Sequence, residues 1–294
     1  MKTIGIYSRK INLNHRKAYQ SIISEIEGNE GKVIVYEPLL EKIKKNLKIS
    51  NKIDIFKDYN ELKKKVKLLI SIGGDGTLLD SVTYVRDSNI PILGINIGRL
   101  GFLSNIDINN IKLGINAIFT NNFCLSKRSL LELKSISNTK VPDINFAIND
   151  ITISKKDSNS MIVIHTLVNN LHLNTYWADG LIVSTPTGST AYSLSCSGPI
   201  TTPDCENFII TPIAPHNLSV RPVIIPDNAE IKLIVESRNK FFNLTLDSRT
   251  ISIKANTEII IKKANFNINL ATLHDNCFFQ IIRDKLHWGD DKRN

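Results

Sequence analysis

Residues 71–81, of sequence SIGGDGTLLDS, place three glycines and one aspartate directly after an apolar run. The run at 68–70 predicts a buried strand, and the helical spacing of apolar residues from Thr77 onward predicts a helix. Glycine lets the backbone approach a ligand closely, and the free N–H groups of a helix N-terminus bind anions. Asp75 lies among those groups, where a carboxylate is useful if it handles a proton or a metal ion. The stretch therefore predicts phosphoryl transfer.

Apolar strands alternate with helical segments in the first part of the chain. Strands are predicted at 4–7, 33–36, 68–72 and 90–96, helices at 15–27, 77–86 and 108–119, and a polar, Lys-rich connection with at most a short strand at 53–56. This alternation is typical of a parallel sheet covered on both faces. Ligands of such sheets bind at the carboxyl ends of the strands, where residues 73–77 lie. We predict a Rossmann-like parallel α/β domain.

From Phe123 onward the pattern is that of short strands separated by Asn, Asp and Gly. These strands are predicted at 125–137, 147–155, 161–168, 171–176, 231–236, 241–246, 251–254, 258–261 and 266–270. Such a succession predicts an all-β domain, a β-sandwich. We place the two domains at 1–122 and 123–272. We expect residues 273–294, as a strand or a helix, to pack back on the N-terminal domain.

Residues 178–195 form a second informative stretch. A predicted buried strand is broken by a proline and a glycine, and hydroxyl-bearing residues then begin a short helix at Ser189. One interpretation is a well-capped turn between strand and helix. The other is a nucleotide-binding loop with Thr190 and Ser195 as hydrogen-bond donors and Tyr192 as an aromatic wall. The stretch by itself leaves both open.

Two adjacent polar residues, Asn149 and Asp150, interrupt an apolar strand. At least one of them must face the buried side, and burial of a polar group is costly without partners. The pair indicates either an edge strand or bulge, or a site for sugar hydroxyls or an adenine edge. Asp150 and Asp179 are both short acceptors that suit ribose hydroxyls.

Bulk properties exclude several function classes. Lys+Arg number 37 against 28 Asp+Glu, which leaves +9, but the basic residues are scattered and the densest run, 63–65, lies on a predicted helix face. The cysteines Cys124, Cys196, Cys205 and Cys277 form no C-x-x-C pair. The chain begins with a strand rather than a signal peptide, and no run approaches the ~20 apolar residues of a membrane span. We predict a cytoplasmic protein with reduced thiols and with no nucleic-acid or membrane partner.

Several catalytic motifs are missing from the sequence. There is no G-x-x-x-x-G-K-[ST] P-loop, no G-x-G-x-x-G dinucleotide fingerprint and no G-x-S-x-G elbow. The six histidines have no metal-binding spacing, so no protein metal site is predicted.

Taken together, these stretches resemble those of bacterial NAD kinases. The matching motifs, in the same order and spacing, are Gly-Gly-Asp-Gly-Thr at 73–77, Asn-Asp at 149–150, DGLIVSTPTGSTAYSLS at 179–195, PIAPHNL at 212–218 and Arg-Pro at 221–222. The glycine element also resembles one in diacylglycerol-type lipid kinases and a related one in phosphofructokinases. The long segment is therefore the specific part, and the resemblance covers nearly all of the chain.

The resemblance implies that the γ-phosphoryl of ATP, or of another donor such as polyphosphate, passes to the adenosine 2′-hydroxyl of NAD and gives NADP. Asp75 would match the aspartate that orients or deprotonates this hydroxyl. Asn149 and Asp150 would bind the nucleotide, and Asp179 would lie near its nicotinamide end. The positions implied as NAD contacts are Asp75, Gly76, Phe102, Asn149, Asp150, Asp179, Thr190, Ala191, Tyr192, Ser193, Leu194, Ser195 and Ala214, and those of the phosphate loop are Gly73, Gly74, Gly76 and Thr77. The family also implies a divalent metal ion, Mg²⁺, carried by the donor, and a homodimer or homotetramer whose sites draw on neighbouring subunits.

Three positions depart from the usual family pattern. Asp150 stands where Glu is usual, Trp177 where Arg is common in Arg-x-Asp-Gly, and Arg249 where Gln is frequent. These changes bear on substrate affinity and on NAD versus NADH, and the reaction class is unaffected. Two alternatives stay open: a lipid kinase, for which no apolar docking segment is found, and a nucleotide-sensing protein, against which the intact Asp75 argues.

Overall fold

The computed structural model describes residues 2–9, 15–47, 53–98, 101–104, 106–156, 160–273 and 278–287. The chain divides into two compact units, residues 1–127 with 268–294 and residues 128–267. The strands are β1 (Thr3–Tyr7), β2 (Lys32–Tyr36), β3 (Asp54–Phe56), β4 (Leu68–Ile72), β5 (Ile92–Asn96), β6 (Ile106–Asp107), β7 (Cys124–Arg128), β8 (Leu131–Ile136), β9 (Phe146–Ala147), β10 (Asp150–Lys155), β11 (Ile162–Val168), β12 (Leu171–Ala178), β13 (Gly180–Ser184), β14 (Asn207–Ile213), β15 (Val223–Pro226), β16 (Ile231–Glu236), β17 (Phe241–Leu246), β18 (Arg249–Lys254), β19 (Thr257–Lys263) and β20 (Ile268–Thr272). The helices are α1 (Arg16–Gly28), α2 (Glu37–Asn46), α3 (Tyr59–Lys65), α4 (Asp75–Val85), α5 (Ile111–Thr120), α6 (Tyr192–Ser195) and α7 (Phe278–Leu286).

The first unit is built on one sheet with the strand order β3-β2-β1-β4-β5-β20-β7, and β6 pairs with β5. The pairs between β1 and its neighbours β2 and β4 are parallel, as are β4 with β5 and β5 with β20. Every residue of β4 and β5 is buried, as expected for strands covered on both faces. The chain moves outward in one direction from β1 to β3 and then returns to β4, so the carboxyl ends of β1 and β4 flank the crevice where such sheets bind ligands.

The second unit is a sandwich of two antiparallel sheets. Their strand orders are β15-β14-β13-β10-β17-β18 and β12-β11-β16-β19-β8-β9. Side chains such as Ile151 and Leu181 of the first sheet and Ile164 and Leu233 of the second share one apolar core. Alternating burial along β16 and β19 is the pattern of strands with one face in that core. The predicted fold class, α/β followed by a β-sandwich, is confirmed.

Several local predictions were wrong. The Lys-rich connection contains α3, which includes the helix face predicted at 63–65, and also α2, which was not predicted and whose buried residues among those described are Leu39 and Ile43. The predicted strands at 125–137 and 266–270 contribute β7 and β20 to the sheet of the first unit. The predicted strand at 147–155 is two strands, β9 and β10, which belong to different sheets. Sheet membership depends on distant partners, so the apolar pattern does not reveal it.

Candidate active site

The turn after β4 requires a glycine at its first position. Gly73 has φ +150°, and a Cβ there would lie 2.4 Å from Thr77 Oγ1. Its N–H donates to the carbonyl of Ile95 in β5 at 2.9 Å. The turn therefore leaves the sheet in a fixed position and leads into α4, which begins at Asp75 rather than at the predicted Thr77.

At Gly74 and Gly76 the described residues leave room for a side chain, so packing does not explain why both are glycine. A Cβ on Gly74 would have nothing within 4 Å, and one on Gly76 would meet a guanidinium nitrogen of Arg9 at 3.7 Å. Both glycines are exposed. Gly74 is the N-cap of α4 and brings no side-chain cap, so the first N–H groups of the helix can donate hydrogen bonds to an anion. Open space beside such N–H groups suits a phosphate.

Asp75 is the first residue of α4, and the backbone of a later loop holds its carboxylate. Oδ2 accepts the N–H of Phe102 at 2.8 Å, and Oδ1 accepts those of Leu103 at 3.1 Å and Ser104 at 2.9 Å. A carboxylate has about four acceptor positions. Oδ1 is therefore filled by two donors, and Oδ2 keeps one position that no described residue occupies.

This loop can reach the carboxylate because residue 101 is glycine. A Cβ on Gly101 would lie 1.8 Å from Oδ1 of Asp75. The next residue, Phe102, is half-buried, and Nζ of Lys285 in α7 lies 5.7 Å from the centroid of its ring. The implied contact position Phe102 is thus fixed both by Asp75 and by a cation–π interaction.

Arg9, which sequence reasoning missed, lies at the same edge of the sheet. It follows β1, and its guanidinium forms a two-pronged ion pair with the carboxylate of Asp80 in α4. The pair holds a half-exposed cation beside Gly76. The sequence does contain the signal, because the first predicted strand ends two residues before Arg9 and ligands gather at strand carboxyl ends.

Asn149 lies where the chain crosses from one sheet of the sandwich to the other. Ile148 and Asn149, between β9 and β10, belong to neither strand. Their carbonyls accept hydrogen bonds from Thr185, at 2.5 Å from its Oγ1 and 2.9 Å from its N–H, respectively. A Cβ on Gly188 would lie 2.0 Å from the carbonyl oxygen of Asn149. The motif glycine and threonine thus hold the Asn149 backbone, while no described residue hydrogen-bonds to its side-chain amide.

Asp150 is a buried carboxylate at the start of β10. Its Oδ1 accepts the hydroxyl of Thr152 at 2.7 Å. Burial raises the pKa of Asp150 to about 7, the nearby charge of Asp247 adds to that rise, and the Thr152 hydrogen bond opposes it. Near neutral pH this carboxyl can therefore either donate or accept a hydrogen bond.

The hydroxyls of the 187–195 segment are largely used within the fold. Ser189 and Thr190 donate to carbonyls of their own turn at 2.6 Å and 3.3 Å. The buried hydroxyl of Ser193 pairs with that of Thr211 at 2.9 Å and ties α6 to β14. These bonds give the segment a defined shape against the sheet.

Tyr192 is the prominent exposed side chain of this segment. It is 46% exposed, Ser195 is exposed, and Ala191 and Leu194 are half-buried. Burial of part of its ring raises the pKa of Tyr192, and the charges of Cys196, Asp150 and Asp179 add to the rise. The tyrosine therefore lies within electrostatic reach of both predicted nucleotide-binding carboxylates.

Asp179 and Asp150 lie at opposite ends of the β10–β13 ladder. Asp150 pairs with Ser184, and four residues further on Ser154 pairs with Gly180. At about 3.3 Å per residue, the backbones of the two residues are separated by roughly 13–17 Å along the ladder. Asp179 forms an ion pair with Lys155 at 2.6 Å. Its N–H donates to Ile213, directly before Ala214, which adopts φ 42°.

Within the described ranges, no group of three or more His, Cys, Asp and Glu side chains is arranged to hold a metal ion. The same part of the chain contains no helix long and apolar enough to span a membrane.

Two family models match the chain in the order of its two units. The model of the ATP-NAD kinase N-terminal domain matches residues 14–123, and that of the C-terminal domain matches residues 148–273. A NAD kinase of Flavobacterium psychrophilum is 48% identical over 267 residues, which cover 90% of this chain and 91% of the relative. The chain belongs to the NAD kinase family. As a member of that family it is a phosphotransferase that converts NAD to NADP.

Further relatives agree with this assignment. A NAD kinase of Flavobacterium johnsoniae is 41% identical over 292 residues, 99% of each chain. The crystal structure of yeast NADH kinase complexed with NADH superposes with a TM-score of 0.89 at 26% identity, over 99% of this chain and 89% of that one. The NAD kinase of Archaeoglobus fulgidus, in complex with ATP, superposes with a TM-score of 0.74 at 24% identity, over 98% and 99% of the two chains, and shows the shared fold.

Proposed function

We propose that this protein transfers the γ-phosphoryl group of ATP to the 2′-hydroxyl of the adenosine ribose of NAD. The observation that carries the proposal is the start of α4, where Asp75 keeps one open acceptor position beside the exposed Gly74 and Gly76. The family models for ATP-NAD kinases and the curated relatives named NAD kinase support it.

The proposed reaction is an in-line displacement at phosphorus. Oδ2 of Asp75 accepts the hydrogen bond of the 2′-hydroxyl, whose oxygen attacks the γ-phosphorus. The bond from the γ-phosphorus to the β–γ bridging oxygen breaks, ADP leaves, and the hydroxyl proton passes to Asp75 and then to water. Because the transition state is loose, positioning and charge stabilisation dominate catalysis. Three backbone N–H groups hold the Asp75 carboxylate, which places it before substrate binds.

The donor phosphates would lie against the N-terminus of α4. The N–H groups there, the backbone of Gly74 and Gly76, and the guanidinium of Arg9 supply positive charge in place of a P-loop lysine. Mg²⁺ carried by the donor neutralises phosphate charge when it is bound. The chemistry of the donor set fits such an ion: Mg²⁺ is commonly held by phosphates, waters and one or two carboxylates. In this proposal the open position of Asp75 is taken by the 2′-hydroxyl and Asp80 is paired with Arg9, so the ion would be held by the donor phosphates and water.

The acceptor would lie on the second unit. The side-chain amide of Asn149, the carboxyl of Asp150 and the ring of Tyr192 would contact the adenosine half of NAD. Asp179, at the far end of the β10–β13 ladder, would contact the nicotinamide half. The remaining positions implied by the family, namely Thr190, Ala191, Ser193, Leu194, Ser195 and Ala214, would line the space near these groups.

We also propose a homodimer or homotetramer. Trp177, Leu218 and Ile224 are exposed apolar side chains on the second unit, and burial against a second copy would remove them from water. Sedimentation equilibrium of the purified protein tests this, and a monomer at micromolar concentration would contradict it. A cytoplasmic location is part of the proposal as well, and it is supported by Cys196 and Cys205, which form no disulfide.

The deciding assay incubates the purified protein with ATP, Mg²⁺ and NAD and measures NADP. Parallel reactions replace ATP with polyphosphate, NAD with NADH, and NAD with diacylglycerol vesicles. Asp75→Asn should lower turnover by about 10²–10⁴, the usual worth of a positioned base. Asp58→Asn is the matched control, because Asp58 also accepts a backbone N–H, at 3.0 Å, at the start of a helix. Near wild-type turnover of Asp75→Asn, or a phosphorylated lipid in place of NADP, would contradict the proposal.

A further inference from the structure

Residues 148–150 form the corner at which the chain passes from β9 to β10. Besides Thr185, the corner is held by Asp247, almost a hundred residues later in the chain. The carboxylate of Asp247 accepts the N–H of Ile148 at 3.0 Å, that of Asn149 at 2.7 Å and that of Asp150 at 3.3 Å. The N–H of Asp247 donates in turn to the carbonyl of Asp150 at 3.0 Å. Four hydrogen bonds therefore connect one residue to three consecutive residues of the corner.

These bonds replace those that the two sheets cannot provide. Ile148 and Asn149 lie between β9 and β10, outside both ladders, so their N–H groups need other acceptors. A buried N–H without a partner costs about 1–3 kcal/mol. Asp247 satisfies the N–H side of the corner, and Thr185 satisfies its carbonyl side. The backbone of Asn149 is thereby fixed on both sides.

Asp247 itself is placed by the hairpin between β17 and β18. It adopts φ 53°, a left-handed conformation that Asp tolerates better than most residues. Its side chain is 5% exposed, and Arg249 lies 3.7 Å from its Oδ2. The guanidinium of Arg249 also donates to the carbonyls of Ile144, at 2.8 Å, and Phe146. Arg249 thus connects Asp247 to the strand that enters the corner.

The fold uses the backbone of the corner, and the side-chain amide of Asn149 is left for a ligand. No described residue hydrogen-bonds to the Asn149 amide, whereas every backbone polar group of Asn149 has a partner. We propose that Asp247 is a positioning residue for the dinucleotide acceptor, holding the corner so that Asn149 and Asp150 meet the nucleotide. Arg249 supports Asp247 through their ion pair and through its hydrogen bonds to the chain that enters the corner. The inference rests on the proposed function, because it takes NAD as the ligand of this corner.

The test measures NAD binding by calorimetry with Asp247→Asn, which keeps the size of the side chain and removes its charge and one acceptor oxygen. The dissociation constant for NAD should rise about tenfold or more, while the KM for ATP stays within about twofold. Asp227→Asn is the matched control. Asp227 is another buried carboxylate of the sandwich, 8% exposed and paired with Lys263, so its loss lowers stability without changing NAD binding.

A double mutant separates positioning from a general loss of structure. If Asp247 acts through Asn149 and Asp150, the effects of Asp247→Asn and Asn149→Ala on NAD binding should be clearly less than additive. Full additivity of the two changes, or a folded Asp247→Asn that binds NAD like the wild type, would overturn the inference. If Asp247→Asn does not fold, Arg249→Ala replaces it, with an expected weakening of about three- to tenfold, and unchanged binding would again overturn the inference.

The binding readout keeps this inference distinct from the proposed function. Wild-type protein that binds NAD but forms no NADP from ATP contradicts the proposed reaction and still allows Asp247 to be tested by its effect on binding. Wild-type protein that forms NADP, with unaltered NAD binding in Asp247→Asn, keeps the reaction and removes the role of Asp247. Wild-type protein that does not bind NAD overturns both.

Discussion

Gly101 lies so close to Asp75 that any Cβ at residue 101 would overlap the carboxylate, at 1.8 Å from Oδ1 and 2.5 Å from Cγ. The loop that follows Gly101 supplies the three N–H groups that hold this carboxylate. The two residues are therefore a single unit of structure, although they are 26 positions apart in sequence.

Gly101→Ala should for that reason act on turnover. The added methyl group must displace either the Asp75 carboxylate or the loop. A displaced base no longer meets the 2′-hydroxyl, so turnover should fall by about 10²–10³, much as it does when the base is removed. Steady-state kinetics with ATP and NAD measure the loss. Gly28→Ala is the control, because a Cβ at Gly28 would have nothing within 4 Å. A Gly101→Ala enzyme that is as active as Gly28→Ala would show that Asp75 does not need this loop.

Gly73 and Gly74 should respond differently to substitution by alanine. Gly73→Ala introduces a side chain at φ +150° against Thr77, so it should destabilise the free protein by about 1–3 kcal/mol. Gly74→Ala has open space and an ordinary φ of −85°, so the free protein should lose less than about 1 kcal/mol.

The cost of Gly74→Ala should appear when the donor binds, because the methyl group would occupy space close to its phosphates. The KM for ATP should rise by about tenfold, with the KM for NAD little changed. Thermal unfolding and kinetics of both variants separate the two effects. An unchanged KM for ATP in Gly74→Ala would place the phosphates elsewhere.

Arg9→Ala should weaken the use of ATP. Arg9 brings a half-exposed cation to the start of α4, and loss of a charge that contacts phosphate costs about tenfold or more in kcat/KM for ATP. The loss should shrink as salt is added, because exposed charges are screened. Lys112→Ala is the control, since Lys112 is an 81% exposed cation on α5. Equal kinetics of the two variants at low salt would exclude Arg9 from the donor site.

The sequence contains the parts of this site but not the contacts that hold them. The glycine turn after β4 follows from a buried strand, three glycines and a helical period, so its place could be predicted, and anion binding there stays a prediction. The N–H groups that hold Asp75 could not, because Phe102 and its neighbours are joined to it only by folding. The same is true of Asp247, which lies 98 positions from Asn149. α2 was missed because it buries few apolar side chains among the described residues, which leaves a weak periodic signal.

Asp150→Asn should make the stability of the protein less sensitive to pH. Burial raises the pKa of Asp150 to about 7 in the folded state, against about 3.9 in an unfolded chain. The folded state therefore binds the proton more tightly, so the contribution of this carboxyl to stability is complete below about pH 4 and is lost as the pH rises through 7. Asn carries no charge at any pH, and its amide oxygen can still accept the hydrogen bond of Thr152. Asp150→Asn should thus be more stable than the wild type at pH 8, by on the order of 2 kcal/mol, and lose most of that advantage by pH 5.

Urea unfolding at the two pH values measures this difference in stability. The control is Asp143→Asn, because Asp143 is an exposed carboxylate of the same unit. An Asp150→Asn protein whose stability falls in parallel with the wild type from pH 5 to pH 8 would mean that another group carries the titration.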